Sequence, residues 1–232
     1  MSVLYSRTNF KSDCGVYRQL IQTESSNIDD YIKQLSQFLK DKDKRINAEL
    51  DEMELVETLN IPEDLAIKVG EFLTNNANKT IHNALFVMTN SFLEWAIVEL
   101  CRLTAIYIDD DFFAYRNGNG LEKAKNYLKE KINLTIAGGS DWQLFTDNQS
   151  VRNLIVHNGS NIIKDYSKGP NQQPDSAMFK RNAKHFDYTS TGFIFILKMK
   201  YIKDSNITAK KFIKVSLQNV INELTLNRGV RW

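Results

Sequence analysis

The chain has 232 residues, 42% of them apolar and 25% charged, with a formal net charge of +2. That is material for one generous domain, or a domain with a small appendage, able to bury a core without a disulfide or metal staple. The two cysteines, Cys14 and Cys101, lie far apart and form no CxxC pair, which fits a reducing compartment better than a secreted disulfide scaffold.

The opening MSVLYSRTNFKSDCG does not read as a signal peptide, and no run approaches the roughly 18 uninterrupted apolar residues of a membrane span. A cytoplasmic protein without a membrane partner is expected. Charge is unevenly spread. Residues 24–71 hold 13 acidic and 6 basic side chains, a balance of −7, and residues 160–215 hold 11 basic and 4 acidic, a balance of +7. The basic segment is a landing surface for phosphates or a solvated lysine-rich surface.

In chain order, residues 1–27 show no period and read as irregular. From Asn27, taken as a cap, Ile28, Tyr31, Ile32, Leu35, Phe38 and Leu39 recur at helical spacing. This helix either ends in the charged run 41–45 or continues toward Leu59. Pro62 marks the next start. Residues 63–108 form the strongest helical stretch, with one glycine, Gly70, and no proline; a break is expected near Thr74-Asn75-Asn76. Asp109, Asp110 and Asp111 read as a solvated helix end, since adjacent residues diverge in direction and no ligand-spaced partner follows. Residues 116–120 are an Asn-Gly turn without a phosphate-loop pattern. Helices follow over 121–134 and, after Gly138-Gly139-Ser140, over 141–158, where Gly159 is a natural stop. Residues 159–185 read as a long mobile loop. The alternation of Phe193, Phe195 and Leu197 against Ile194, Ile196 and Lys198 predicts one arm of a hairpin, and 207–226 return to helix.

The chemistry concentrates in Ser150-Val-Arg152-Asn153-Leu-Ile-Val-His157-Asn-Gly159. This segment resembles the HEPN superfamily, whose ribonucleases share an Arg-x4–6-His motif, commonly with a polar residue after the arginine. The context adds to it: a glycine stop directly after, an upstream helix with Phe92 and Glu94, and a final helix downstream, so that the likeness spans roughly residues 63–226. It implies a helical bundle, here with a small β-hairpin inserted before the last helix. Taken with the elements above, the chain is expected to divide into an N-terminal helical extension over 1–62 and a HEPN-like domain over 63–232, with the insertion around 179–201. The likeness also implies homodimers with a composite site, and RNA products ending in 2′,3′-cyclic phosphate and 5′-hydroxyl. Some HEPN toxins carry a tyrosine two residues after the histidine that a partner enzyme modifies. Here that position is Gly159, so such control is not expected.

At about 100° per residue, with Arg152 at zero, Asn153 falls near 100° and His157 near 140°, while Leu144, Val151, Leu154 and Ile155 fall at roughly 200–300° and should face the core. Trp142, Phe145 and Val156 share the polar sector at roughly 20–80°. They form either a homodimer interface or a contact with the chain's own last helix. Cleaving RNA without a metal requires removing a proton from the ribose 2′-hydroxyl, stabilising the phosphorane and protonating the 5′-oxygen. His157 is the proton carrier and the dipole at a helix C-terminus favours a cation there. Arg152 offers forked donors to phosphate, and Asn153 can bond phosphate or orient the imidazole. Glu94 is a supporting residue placed to orient Arg152 or His157. Alternatively, Arg152 and His157 pair structurally with Glu94 or Asp147.

The expected function is therefore a metal-independent endoribonuclease acting on tRNA or other cellular RNA, of toxin or phage-defence type. It has no cofactor, and Lys180, Arg181 and Lys184 hold RNA. Its partners would be RNA, a second copy, and an antitoxin or defence-system protein. The alternative is a non-catalytic HEPN module that binds RNA, nucleotide or a protein. His82 and His185 lack such a neighbourhood and read as ordinary.

Overall fold

The computed structural model describes residues 9–51, 63–136, 139–227, 229 and 230. Among these, the α-helices are α1 (Phe10–Asp51), α2 (Glu63–Tyr107), α3 (Gly120–Ile132), α4 (Gly139–His157), α5 (Ser176–Arg181) and α6 (Met199–Asn222). A two-stranded antiparallel hairpin, β1 (Phe186–Tyr188) and β2 (Ile194–Ile196), precedes α6. The protein is thus mainly helical with one small hairpin before its last helix, as the sequence implied. The expected start at Pro62, the continuation of the first helix toward Leu59, and Gly138 lie outside the described residues.

The chain forms two compact units. One comprises residues 1–28, 88–152 and 204–232, and the other residues 29–87 and 153–203. In the first unit Phe10, Cys14 and Tyr17 are buried. Phe10 packs edge-on against Tyr107 at 4.6 Å, the Tyr107 hydroxyl donates to Asp13 at 2.6 Å, and the Tyr17 hydroxyl donates to the Ala96 carbonyl at 2.9 Å. The reading of 1–27 as irregular is corrected from Phe10 onward. The true cap is Asn9, whose side chain accepts the Ser12 amide at 3.0 Å, and not Asn27, which lies inside α1. Burial pushes the Cys14 thiol up to about 12 and raises Cys101 as well; both are free thiols.

The α2 helix runs unbroken through Thr74-Asn75-Asn76, against expectation. Each such residue costs a helix at most about 0.7 kcal/mol, a penalty that a cooperative helix of this length carries. From Asn78 to Tyr107 it is long and apolar enough to cross a membrane, and 61% of its most apolar stretch is buried inside the protein, as in a core helix. After Tyr107 the chain turns through Asp109 at φ 58°, Asp110 pairs with Lys131 at 2.9 Å and Asp111 accepts the Phe113 amide at 2.8 Å. The three aspartates serve a turn and an ion pair.

The second unit is organised by aromatic rings around the hairpin. Phe186 pairs with Ile196 and Tyr188 with Ile194, which puts Phe186, Ile194 and Ile196 in the core. Phe86 meets Phe186 at 5.8 Å, and Phe179 of α5 meets Phe186 at 6.0 Å and Tyr188 at 5.3 Å. Buried Asn83 donates to the Ile194 carbonyl at 2.8 Å and accepts the Ile196 amide at 3.2 Å, completing one edge of β2 as a strand neighbour would. Gly192 closes the hairpin turn at φ 85°, where a Cβ would stand 2.5 Å from the Asn161 side-chain oxygen, so only glycine fits.

Residues 159–185, read as a long mobile loop from their glycines and prolines, contain the short helix α5 and a network of side-chain bonds to the backbone. Buried Gln173 accepts the amides of Lys164 and Asp165 and donates to the carbonyls of Asp165 and Lys168, so one side chain does the work of a missing strand. Met178 and Phe179 then anchor α5.

Candidate functional site

Arg152 lies in the first unit, on α4. Its Nε donates to the Ser91 hydroxyl of α2 at 3.3 Å, and its side chain is half-buried. One turn earlier on α4, Gln149 donates to the Glu94 carboxylate at 2.7 Å. Ser91 and Glu94 are three apart on one helix, as are Gln149 and Arg152 on the other, so each pair shares a face. The lower-numbered residue of one pair meets the higher-numbered residue of the other. The two segments therefore run antiparallel and are joined by a polar ladder. The other Glu94 oxygen faces Gly120, where a Cβ would approach it to 2.5 Å. Gly120 opens α3, so the carboxylate sits at the partial positive charge of a helix N-terminus. Glu94 is accordingly a structural hub on Gln149 and α3. Asp147, the other acid considered near the motif, is buried and accepts Gln143 at 3.0 Å.

Asn153 and His157 follow on the same helix, in the second unit, and both are exposed. His157 is the last residue of α4. Gly159 at φ 59° and Ser160 at φ 61° end it, with the Ser160 amide donating back to the Ile155 carbonyl at 3.1 Å, the six-to-one bond of a Schellman stop. The stop predicted from Gly159 is thus in place, and it leaves the imidazole at a helix terminus. Val151 and Leu154 are buried and Ile155 is half-buried, consistent with the core sector assigned to them.

The sector shared by Trp142, Phe145 and Val156 is not one surface. Phe145 is only 2% exposed and meets Phe212 of α6 edge-on at 4.9 Å; Trp142 meets the same ring at 6.0 Å and Lys125 at 5.9 Å. The assignment of Phe145 to a dimer interface is therefore corrected: it packs against the chain's own last helix, and Trp142 shares that contact. Val156 alone of the three is an exposed large hydrophobic, at 46%. A helical wheel averages over the length of α4, whereas its neighbours change from one turn to the next.

Lys180 and Arg181 end α5 and Lys184 follows it, all three exposed in the second unit. His82 has Nδ1 3.0 Å from the Ile196 carbonyl oxygen, and His185 stacks on Tyr201 at 3.9 Å; both serve packing. Among the described residues no cluster of three or more His, Cys, Asp or Glu side chains is placed to hold a metal ion.

Two residues of the site escaped the sequence reading. Ser91 and Gln149 carried a signal only jointly, as the i,i+3 partners of Glu94 and Arg152, and such a signal is visible only once the two helices are known to pack. No family model matches the chain, and neither does any curated protein or solved structure.

Proposed function

We propose that this chain is a HEPN-type endoribonuclease that acts without a metal on tRNA or another cellular RNA, in a toxin or phage-defence role. The observation that carries the reading is the character of the last turns of α4. Arg152 is held through its Nε by a hydroxyl of another helix, while Asn153 and His157, within five residues of it, stand exposed beside a glycine stop. A guanidinium fixed in this way loses little freedom when it takes up a phosphate. The 2′-hydroxyl attacks the adjacent phosphorus, the bond to the 5′-oxygen breaks, and His157 supplies the proton that the departing oxygen needs. Arg152 and Asn153 donate to the phosphate oxygens as charge builds on the phosphorane. The 2′-hydroxyl must also give up a proton, and a second His157 from a homodimeric copy would take it, with exposed Val156 beside the site as part of that contact. The exposed cations Lys180, Arg181 and Lys184 would meet the RNA backbone.

Purified protein incubated with total tRNA in EDTA should yield fragments ending in 2′,3′-cyclic phosphate and 5′-hydroxyl. Intact RNA, or ends bearing 3′-hydroxyl and 5′-phosphate, would contradict the reading.

A further inference from the structure

We propose that the outward face of the hairpin, within the second unit, holds unpaired nucleotides of an RNA strand, with bases on Phe193 and Phe195 and phosphates at Lys79, Lys184 and Lys198. This rests on the nuclease reading for its ligand and adds which form of RNA that ligand takes. Strand alternation divides the hairpin. Phe186, Ile194 and Ile196 point into the core, so Phe193, Phe195 and Leu197 stand on the other face, with Asp187 opposite Phe195. Phe193 is 36% and Leu197 37% exposed, and Phe195 is half-buried with the Lys79 ammonium 4.3 Å from its ring centroid. The Leu197 amide donates to the His185 carbonyl at 3.0 Å. Lys184 and Lys198, the next residues outward on the two chains of the hairpin, therefore leave it at the same end, both exposed.

Backbone, charge and shape together choose the occupant. Strand addition by a peptide needs open edge amides. Those of Phe186, Tyr188, Ile194 and Ile196 are already bonded, to Asn182, Asp187, Ser160 and Asn83. The bond from the Tyr188 amide also engages the Asp187 carboxylate, the one acid on this face, with the strand itself. Two ammonium groups brought to one end of a hairpin repel, and an anion between them relieves that repulsion. Flat rings beside cations are the complement of a nucleotide, whose base stacks on the ring while its phosphate meets the ammonium. A duplex keeps its bases stacked within its own helix and offers none to the rings, so an unpaired strand is the ligand.

The test uses the full chain and a short fluorescein-labelled 2′-O-methyl RNA of mixed sequence, which lacks the 2′-hydroxyl nucleophile and cannot be cut. Fluorescence anisotropy compares the single strand with its duplex. The single strand should bind roughly tenfold more tightly. Phe193→Ala and Phe193→Leu should each weaken that binding by roughly tenfold with circular dichroism unchanged, whereas Phe193→Trp, which keeps a flat ring, should retain it. Lys198→Ala should lower the slope of log affinity against log salt by about 0.7, the share of one phosphate contact in a single strand. Equal binding of strand and duplex, or full binding by Phe193→Ala, overturns the proposal. So does a Phe193→Leu variant that binds like the parent, which would replace stacking by a plain apolar contact. A dimer in light scattering that Phe193→Ala splits would also overturn it, by assigning the face to a second copy. Single-strand binding of the expected kind in a chain that leaves natural RNA uncut would support this proposal and contradict the nuclease reading.

Discussion

Phe145 and Arg152 lie seven residues, about two turns, apart on α4, and therefore point in nearly the same direction from its axis. Their fates differ. Phe145 is closed in by Phe212 of α6, whereas Arg152 is half-buried and held by a hydroxyl of α2. The difference lies in which helix runs alongside at each level. The early turns of α4 are committed to the core. The late turns leave Asn153 and His157 at the surface and join Gln149 and Arg152 to α2.

That contrast can be broken by substitution. The largest effect should come from Phe145→Ala, which removes a fully packed ring and leaves a cavity worth about 3–5 kcal/mol of stability. A thermal melt should drop sharply, and a variant that melts like the parent would show that the ring is not core. A smaller effect, of a different kind, is expected at the other end. Ser91→Ala deletes one half-exposed hydrogen bond, so its melt should shift by no more than about 1 kcal/mol. If the hydroxyl aims the guanidinium, RNA cleavage should nevertheless fall by roughly tenfold, and Ser91→Thr, which keeps the hydroxyl, should restore much of it. Equal activity in Ser91→Ala would reduce the ladder to a packing device.

Local pattern made much of this legible. Apolar recurrence located α2 and α6 from residue 207 on, glycine and serine punctuation with the Gly159 stop located α4, and alternation across Ile194 and Ile196 located the hairpin. What stayed hidden depends on contacts distant in sequence. Phe10, Cys14 and Tyr17 follow helical spacing, but the polar run after Ile21 obscured it, and burial against Ala96 and Tyr107 is what gives that spacing meaning. The bonding within 159–185 rests on Gln173, a residue whose type predicts nothing about holding a loop. Within the site, the sequence supplied Arg152, Asn153 and His157 as members of one helix. It could not assign Phe145 to the core, because a wheel gives direction and not neighbours. Nor could it find Ser91, whose role exists only across two helices.

The central claim is that the polar end of α4 carries chemistry and not stability, and His157 tests it most directly. The imidazole is exposed, so His157→Ala should change the melt by no more than about 0.5 kcal/mol. Cleavage of tRNA in EDTA should fall by about 10²–10⁴-fold, the range of a lost proton carrier, and added imidazole should recover part of it. Full ribonuclease activity in a clean, folded His157→Ala preparation would contradict the account.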